Sequence, residues 1–133
     1  QSGLIAGQIH WIATDHCEFD SKLKKQEAKK GFHHIPNGIA GVEQRMLMTW
    51  MMLVKPGKLT AMEWVELCCV EPAQRMGLAG IKGDIAPGYD ADLVVFDPDI
   101  EAITNVWLRG EMAVEDGELV DSLPVGKFLK RSL

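Results

Sequence analysis

Asp15, His16 and Cys17 stand side by side, and they are the residues of this chain whose types best suit catalysis. A carboxylate can ligate a divalent ion and carry a proton between water and substrate. Taken alone, the Asp-His pair leaves two readings open, a metal-bound acid/base or a loop-capping Asp beside a surface His. His10, His33 and His34 do not decide between them, because their spacing matches no helical two-ligand pattern such as HExxH. Cys17, Cys68 and Cys69 are odd in number, and no CxxC pair exists to hold zinc or exchange disulfides. That usage fits a reducing, cytoplasmic setting.

The elements that must position these residues can be read in outline. Residues 8–14 (QIHWIAT) are short, rich in β-branched and aromatic types, and end in Asp15 and His16. They predict a buried strand that delivers polar groups at its C-terminal end, the place where barrel enzymes carry catalytic residues. Residues 22–30 read as either a short helix or a loop. Ile35, Pro36, Asn37 and Gly38 form a turn signal. Apolar residues across 42–54 predict a buried helix closed by Pro56 and Gly57, with its methionines as core filler. Thr60 and Glu63 make a capping-box pattern for a second helix, and Pro72 marks where that helix should bend or restart. After Gly80 the patterning changes to short β segments. Residues 81–85 and 93–96 predict a hairpin-like pair, followed by strands at 106–109, 111–114 and 119–120 with a tight turn at Asp116-Gly117. Residues 127–133 read as a basic tail that docks or frays.

Composition bounds the function more than it names it. The chain has 133 residues, 47% hydrophobic and 25% charged, enough for one globular unit. Its net charge of −5 gives no electrostatic footprint for nucleic acid. The one basic cluster, Lys22, Lys24, Lys25, Lys29 and Lys30, is interrupted by Gln26 and Glu27 and reads as a solvated face. No apolar run reaches the roughly 18 residues of a membrane span, and the start lacks the pattern of a secretory signal. A first residue of Gln rather than Met hints at a longer polypeptide.

Three groups of residues in order carry a family resemblance. Asp15-His16-Cys17 with Phe19, then Phe32 with Ile35-Pro36-Asn37-Gly38, then Gly41-Val42-Glu43-Gln44-Arg45-Met46, resemble the run T-D-H-C-x-F … F-x-x-I-P-N-G-x-x-G-x-E-x-R-M of dihydropyrimidinases and hydantoinases. Glu71-Pro72-Ala73 with Met76-Gly77-Leu78 resembles that family's N-P-A-x-x-x-G-L helix end. Residues 82–95 resemble its K-G-x-I-x-x-G-x-D-A-D-L-V-V hairpin, the part shared most widely across the amidohydrolase superfamily. Dihydroorotases and allantoinases, an alternative within it, look more like D-H-A-P at the first motif.

The resemblance implies an α/β architecture, the C-terminal part of a TIM-like (β/α)8 metallo-hydrolase barrel followed by a small β-sandwich portion. Residues 1–80 would supply the last barrel strand and its helices, and residues 81–133 part of the small β domain and the tail. Asp15 would be the metal-ligating aspartate of a two-metal site, most simply zinc, and also the catalytic base and acid. Asn37 would bind substrate through its backbone. His16 and Cys17 would pack around the site rather than ligate. The substrate would be a small cyclic amide, a dihydropyrimidine or hydantoin opened to an N-carbamoyl amino acid, and the complete protein would be a homotetramer.

Departures from the pattern matter too. The family's H-x-H pair, its carboxylated lysine and its other metal histidines have no counterpart here, so this chain alone is expected to be inactive. The connection between Pro98 and Val106 is shorter than usual, and Glu18 stands where Pro or a small polar residue is common. Two other classes fit the sequence less well. A non-catalytic scaffold of the collapsin response mediator type has no need of a carboxylate at position 15. A stand-alone β-rich binding domain would expose a large apolar edge and face.

Overall fold

The computed structural model describes residues 2–122, 124 and 126–130; the end of the predicted tail lies outside them. A helical part comes first and a small sheet follows. After α1 (Ser2–Ile5), helix α2 (Ser21–Ala28) settles the open reading of residues 22–30 in favour of a helix. Asp20 caps it, its Oδ1 accepting from the Lys22 N–H at 2.6 Å. A single 3-10 turn follows at Phe32–His34.

Two longer helices each change pitch part way. Helix α3 (Arg45–Thr49) runs on as a π segment, Trp50–Val54, and ends at Gly57, whose φ is 71°. Helix α4 (Ala61–Val65) opens with the expected capping box: Thr60 Oγ1 accepts from the Glu63 N–H at 3.2 Å, and Glu63 Oε2 accepts from the Thr60 N–H at 2.7 Å. A π segment, Glu66–Val70, then leads into α5 (Glu71–Arg75). Pro72 accounts for the widening. It offers no N–H to the Cys68 carbonyl four residues back, and its ring crowds that carbonyl, so the turn expands to i→i−5 spacing. The α-helical pitch therefore resumes at Glu71 with Pro72 in the first turn, the restart expected there.

The sheet is an antiparallel meander, β1 (Leu93–Asp97), β2 (Ala102–Leu108), β3 (Glu111–Glu115) and β4 (Glu118–Leu119), in the order β1-β2-β3-β4. Tight turns set its registers. Asp97 pairs with Ala102 across residues 98–101, and Asp97 Oδ1 accepts from the Asp99 N–H at 2.8 Å. The short connection noted in the sequence is thus a closed turn, tied to the helices by a 2.5 Å ion pair between Glu101 and Lys55. Asp116-Gly117 joins β3 to β4 with φ values of 49° and 84°, the left-handed pair of a type I′ hairpin.

Three expectations are corrected. Residues 8–14 form no strand; they are extended, largely exposed and hydrogen-bonded to no neighbouring strand. A barrel strand needs a strand on each side, and the described residues contain none to flank it. Residues 81–85 do not pair with β1, whose partner is β2. They fold instead against α5, where Gly83 at φ 92° packs so closely that a Cβ would lie 2.6 Å from that of Ala73. Lys82 reaches forward to Asp90 at 2.8 Å and also pairs with Asp92. Finally, the helix expected over 42–54 begins at Arg45, and of its residues only Leu53 is buried. Met48, Met51 and Met52 are exposed rather than core filler.

The core sits at the joint between helices and sheet. Trp50, Trp64 and Phe96 pack mutually with ring centroids 4.7 to 5.3 Å apart. The Trp64 indole N–H donates to Thr49 Oγ1 at 2.8 Å. Leu53, Leu67, Cys68 and Ala73 complete the buried set.

Trp64→Ala should lower unfolding stability in urea by about 3 to 5 kcal/mol, because Trp64 is 4% exposed and joins both halves. For Asp92, partial burial pushes the carboxyl up, but the Lys82 ammonium and the Arg109 N–H outweigh it and hold the carboxyl below 3.8; Lys82 is correspondingly raised above 10.5 against its own burial. The carboxylate's contribution is present above 3.8 and fades as pH falls through the lower folded value, whereas that of Lys82 is lost only as pH rises beyond 10.5. Asp92→Asn should cost about 1 kcal/mol at neutral pH and flatten the acid limb of the stability profile.

Candidate functional site

Asp15 has φ 48°, a left-handed backbone that a non-glycine residue adopts at a cost. The other described non-glycine residues with positive φ, Glu101, Arg109 and Asp116, all lie in the turns of the sheet. Asp15 is therefore the exception, at the end of an extended segment, and its side chain is exposed. An aspartate tolerates this conformation better than most residues.

The next residue holds the site's loop. His16 Nδ1 accepts from the Gly41 N–H at 3.0 Å and the Val42 N–H at 3.2 Å. In both bonds Nδ1 is the acceptor. The His16 N–H in turn donates to Thr14 Oγ1 at 3.2 Å. Cys17 N–H donates to the Ile39 carbonyl at 3.3 Å, and His16 and Ile39 form an isolated parallel bridge. The turn containing Asn37 is thus laid against the chain just after Asp15.

Gly38 explains how it comes so close. Its φ is 131°, and a Cβ there would lie 2.6 Å from the Cys17 Cβ and collide with the Cys17 carbonyl oxygen. Only glycine meets both demands. The Lys24 ammonium donates to the Gly38 carbonyl from α2. Asn37 is exposed, and in this turn Gly38 rather than Asn37 carries the positive φ.

An open cleft runs between residues 12–14 and the start of α3, bounded by Ile12, Thr14, Gly41, Gln44, Arg45 and Met48 among others. Arg45 Nη1 crosses it to donate to the Ile12 carbonyl at 3.3 Å and the Cys68 carbonyl at 3.1 Å. Reasoning from the sequence missed Arg45 and Lys24 as anchors. For Arg45 a signal was available, since Pro72 announces an unsatisfied carbonyl four residues earlier and an arginine donor is an ordinary remedy.

Metal-binding capacity is limited. Among the described residues no three His, Cys, Asp or Glu side chains converge to hold an ion. The Asp15 carboxylate, exposed and without a described partner, suits one position in the shell of a hard divalent cation. His16 uses its Nδ1 on backbone amides. His33 and His34 stack on each other at 4.4 Å in the 3-10 turn. The thiols of Cys68 and Cys69 are pushed up, chiefly by burial, and Cys17 is exposed. Iodoacetamide at neutral pH should accordingly alkylate Cys17 first and leave Cys68 unmodified in the folded chain, as peptide mass mapping would read.

Comparison with known proteins adds to this geometry. The family model described as "Amidohydrolase family" matches residues 3–119. A D-hydantoinase from Ralstonia pickettii is 33% identical over 98% of this chain and 34% of its own length. A D-hydantoinase from Streptomyces coelicolor is 41% identical over 77% of this chain and 22% of its own. Among solved structures, a D-hydantoinase (dihydropyrimidinase) from Thermus sp. superimposes with a TM-score of 0.88 at 33% identity, covering 98% of this chain and 33% of that one. The chain thus spans about a third or less of the length of these relatives. The Ralstonia alignment runs over 154 positions against 133 residues here, so within the matched span the relative carries residues that this chain lacks.

Proposed function

Because this chain belongs to the amidohydrolase family, matched over residues 3–119, we propose that it is the C-terminal part of a cyclic amide hydrolase of the hydantoinase and dihydropyrimidinase type. The complete protein would open dihydropyrimidines or hydantoins to N-carbamoyl amino acids. In that protein residues 1–80 are the last barrel strand with its helices, and residues 81–133 contribute to a small β-sandwich domain. Residues 8–14 become the strand they resemble once flanking strands are present.

The observation that carries the reading is the pairing of two features at one point. Asp15 presents a free carboxylate from a left-handed backbone, and the Asn37 turn is fastened beside it through His16 and Gly38. A base and a backbone edge that can hydrogen-bond a planar amide are what ring opening requires.

Asp15 would hold one of two divalent ions, zinc on this reading, with the remaining ligands supplied from outside this chain. When bound, such ions lower the pKa of water and polarise a carbonyl. Asp15 itself accepts the proton of the attacking water and returns it to the departing ring nitrogen. The Asn37 turn orients the amide plane, and His16 keeps that turn at a fixed distance from the carboxylate. Assembly as a homotetramer in the cytoplasm completes the proposal.

The test is made on the complete protein. The parent should bind about two divalent ions per chain by elemental analysis and hydrolyse dihydrouracil or hydantoin. Asp15→Asn keeps the left-handed backbone, so folding should be unchanged while turnover falls by at least about a hundredfold. Normal turnover in that variant, or a parent with neither metal nor activity, would overturn the reading.

A further inference from the structure

Asp15 is suspended between two ties that end on the same short stretch of chain. On one side the Ile12 carbonyl, three residues upstream, accepts from Arg45 Nη1 at 3.3 Å. On the other side His16 Nδ1, one residue downstream, accepts from the Gly41 and Val42 amides at 3.0 and 3.2 Å. The downstream tie belongs to the Asn37 loop. The upstream tie depends on one side chain.

That side chain is itself fixed by a second carbonyl. The Cys68 carbonyl, which gets no N–H from Pro72, accepts from the same Nη1 at 3.1 Å. The terminal nitrogen of a guanidinium has two hydrogens, enough for one bond to each carbonyl. Arg45 is partly buried, so leaving either carbonyl without a donor is costly. The widened helix thus supplies a rigid anchor, and Arg45 transmits its position to the segment that carries Asp15.

We infer that Arg45 is a positioning residue for Asp15, coupling the π segment Glu66–Val70 to the end of the extended segment that carries Asp15 through the carbonyls of Cys68 and Ile12. The inference rests on the reading of Asp15 as the acid/base of ring opening. The coupling has a distinctive consequence. Replacing Pro72 by alanine returns an N–H to the Cys68 carbonyl and removes the need for Arg45 at the helix, but it does nothing for the Ile12 carbonyl.

The experiment uses the complete protein in four forms: parent, Arg45→Met, Pro72→Ala and the double variant. Stability in urea, kcat and KM for dihydrouracil and hydantoin, and amide hydrogen exchange over residues 13–17 are measured on each. Arg45→Met should lower stability, accelerate exchange at 13–17 and reduce kcat by about ten- to a hundredfold, with KM changed by no more than about threefold. In the double variant stability should recover while the fast exchange and the kcat loss persist. Recovery of kcat together with stability would reduce Arg45 to a helix brace and overturn the inference, as would unchanged exchange in Arg45→Met. Should Arg45→Met fail to fold, Arg45→Lys, which keeps a donor able to reach one carbonyl, replaces it with the same criteria. A parent inactive on both substrates would sink the reaction assigned above, whereas the exchange result would still decide the positioning role.

Discussion

Peptide groups that leave water must find partners, and at the site that demand is met without a sheet. Residues 12–17, interrupted by the left-handed backbone at Asp15, make a single bridge to Ile39. Their conformation is held by bonds between side chains and backbone that reach far along the sequence. His16 takes two amides from 25 and 26 residues away, Arg45 reaches back 33 residues to the Ile12 carbonyl, and Lys24 reaches 14 residues forward to that of Gly38. Each bond is specific to one geometry, unlike a ladder that tolerates slippage. The site therefore owes its shape to a few polar side chains, and the helices matter to it because they fix where those side chains start.

The sheet is attached by a different kind of contact. Trp50, Trp64 and Phe96 form an apolar hinge point, and Lys55 with Glu101 closes the margin. Behind it the Lys82 ammonium gathers Asp90 and Asp92, and Asp92 Oδ1 accepts the Arg109 N–H at 2.8 Å, so one cation fixes both the entry to β1 and the turn between β2 and β3. The K-G … D-A-D-L pattern is thus explained as a structural clasp. Away from these contacts Phe32, Ile39 and Met62 are each at least 75% exposed.

Local chemistry was legible in the sequence where the cause was local. The Thr60-Glu63 capping box and the Asp116-Gly117 turn depend on a few neighbouring residues, and they were readable for that reason. What depended on remote partners was misread. Residues 8–14 have the composition of a strand, but a strand is a property of its neighbours. Residues 81–85 look like half of a hairpin until Lys82 finds Asp90 and Asp92. At the site, the types Asp15 and His16 pointed to the right neighbourhood, while the bonds that hold it, from Arg45 and Lys24, link positions that no sequence period relates.

The left-handed backbone at Asp15 also constrains how this lineage can drift. Under the role proposed for Asp15, two filters act on one codon: the chemistry asks for a carboxylate, and the conformation asks for Asp, Asn or Gly. Both permitted replacements lie a single nucleotide from aspartate. Either would remove the carboxylate while sparing the fold, so on that proposal the reaction is more fragile to point mutation than the structure is. Descendants that abandon the reaction can then persist as folded proteins, and Asn or Gly at this position is the mark such a history would leave.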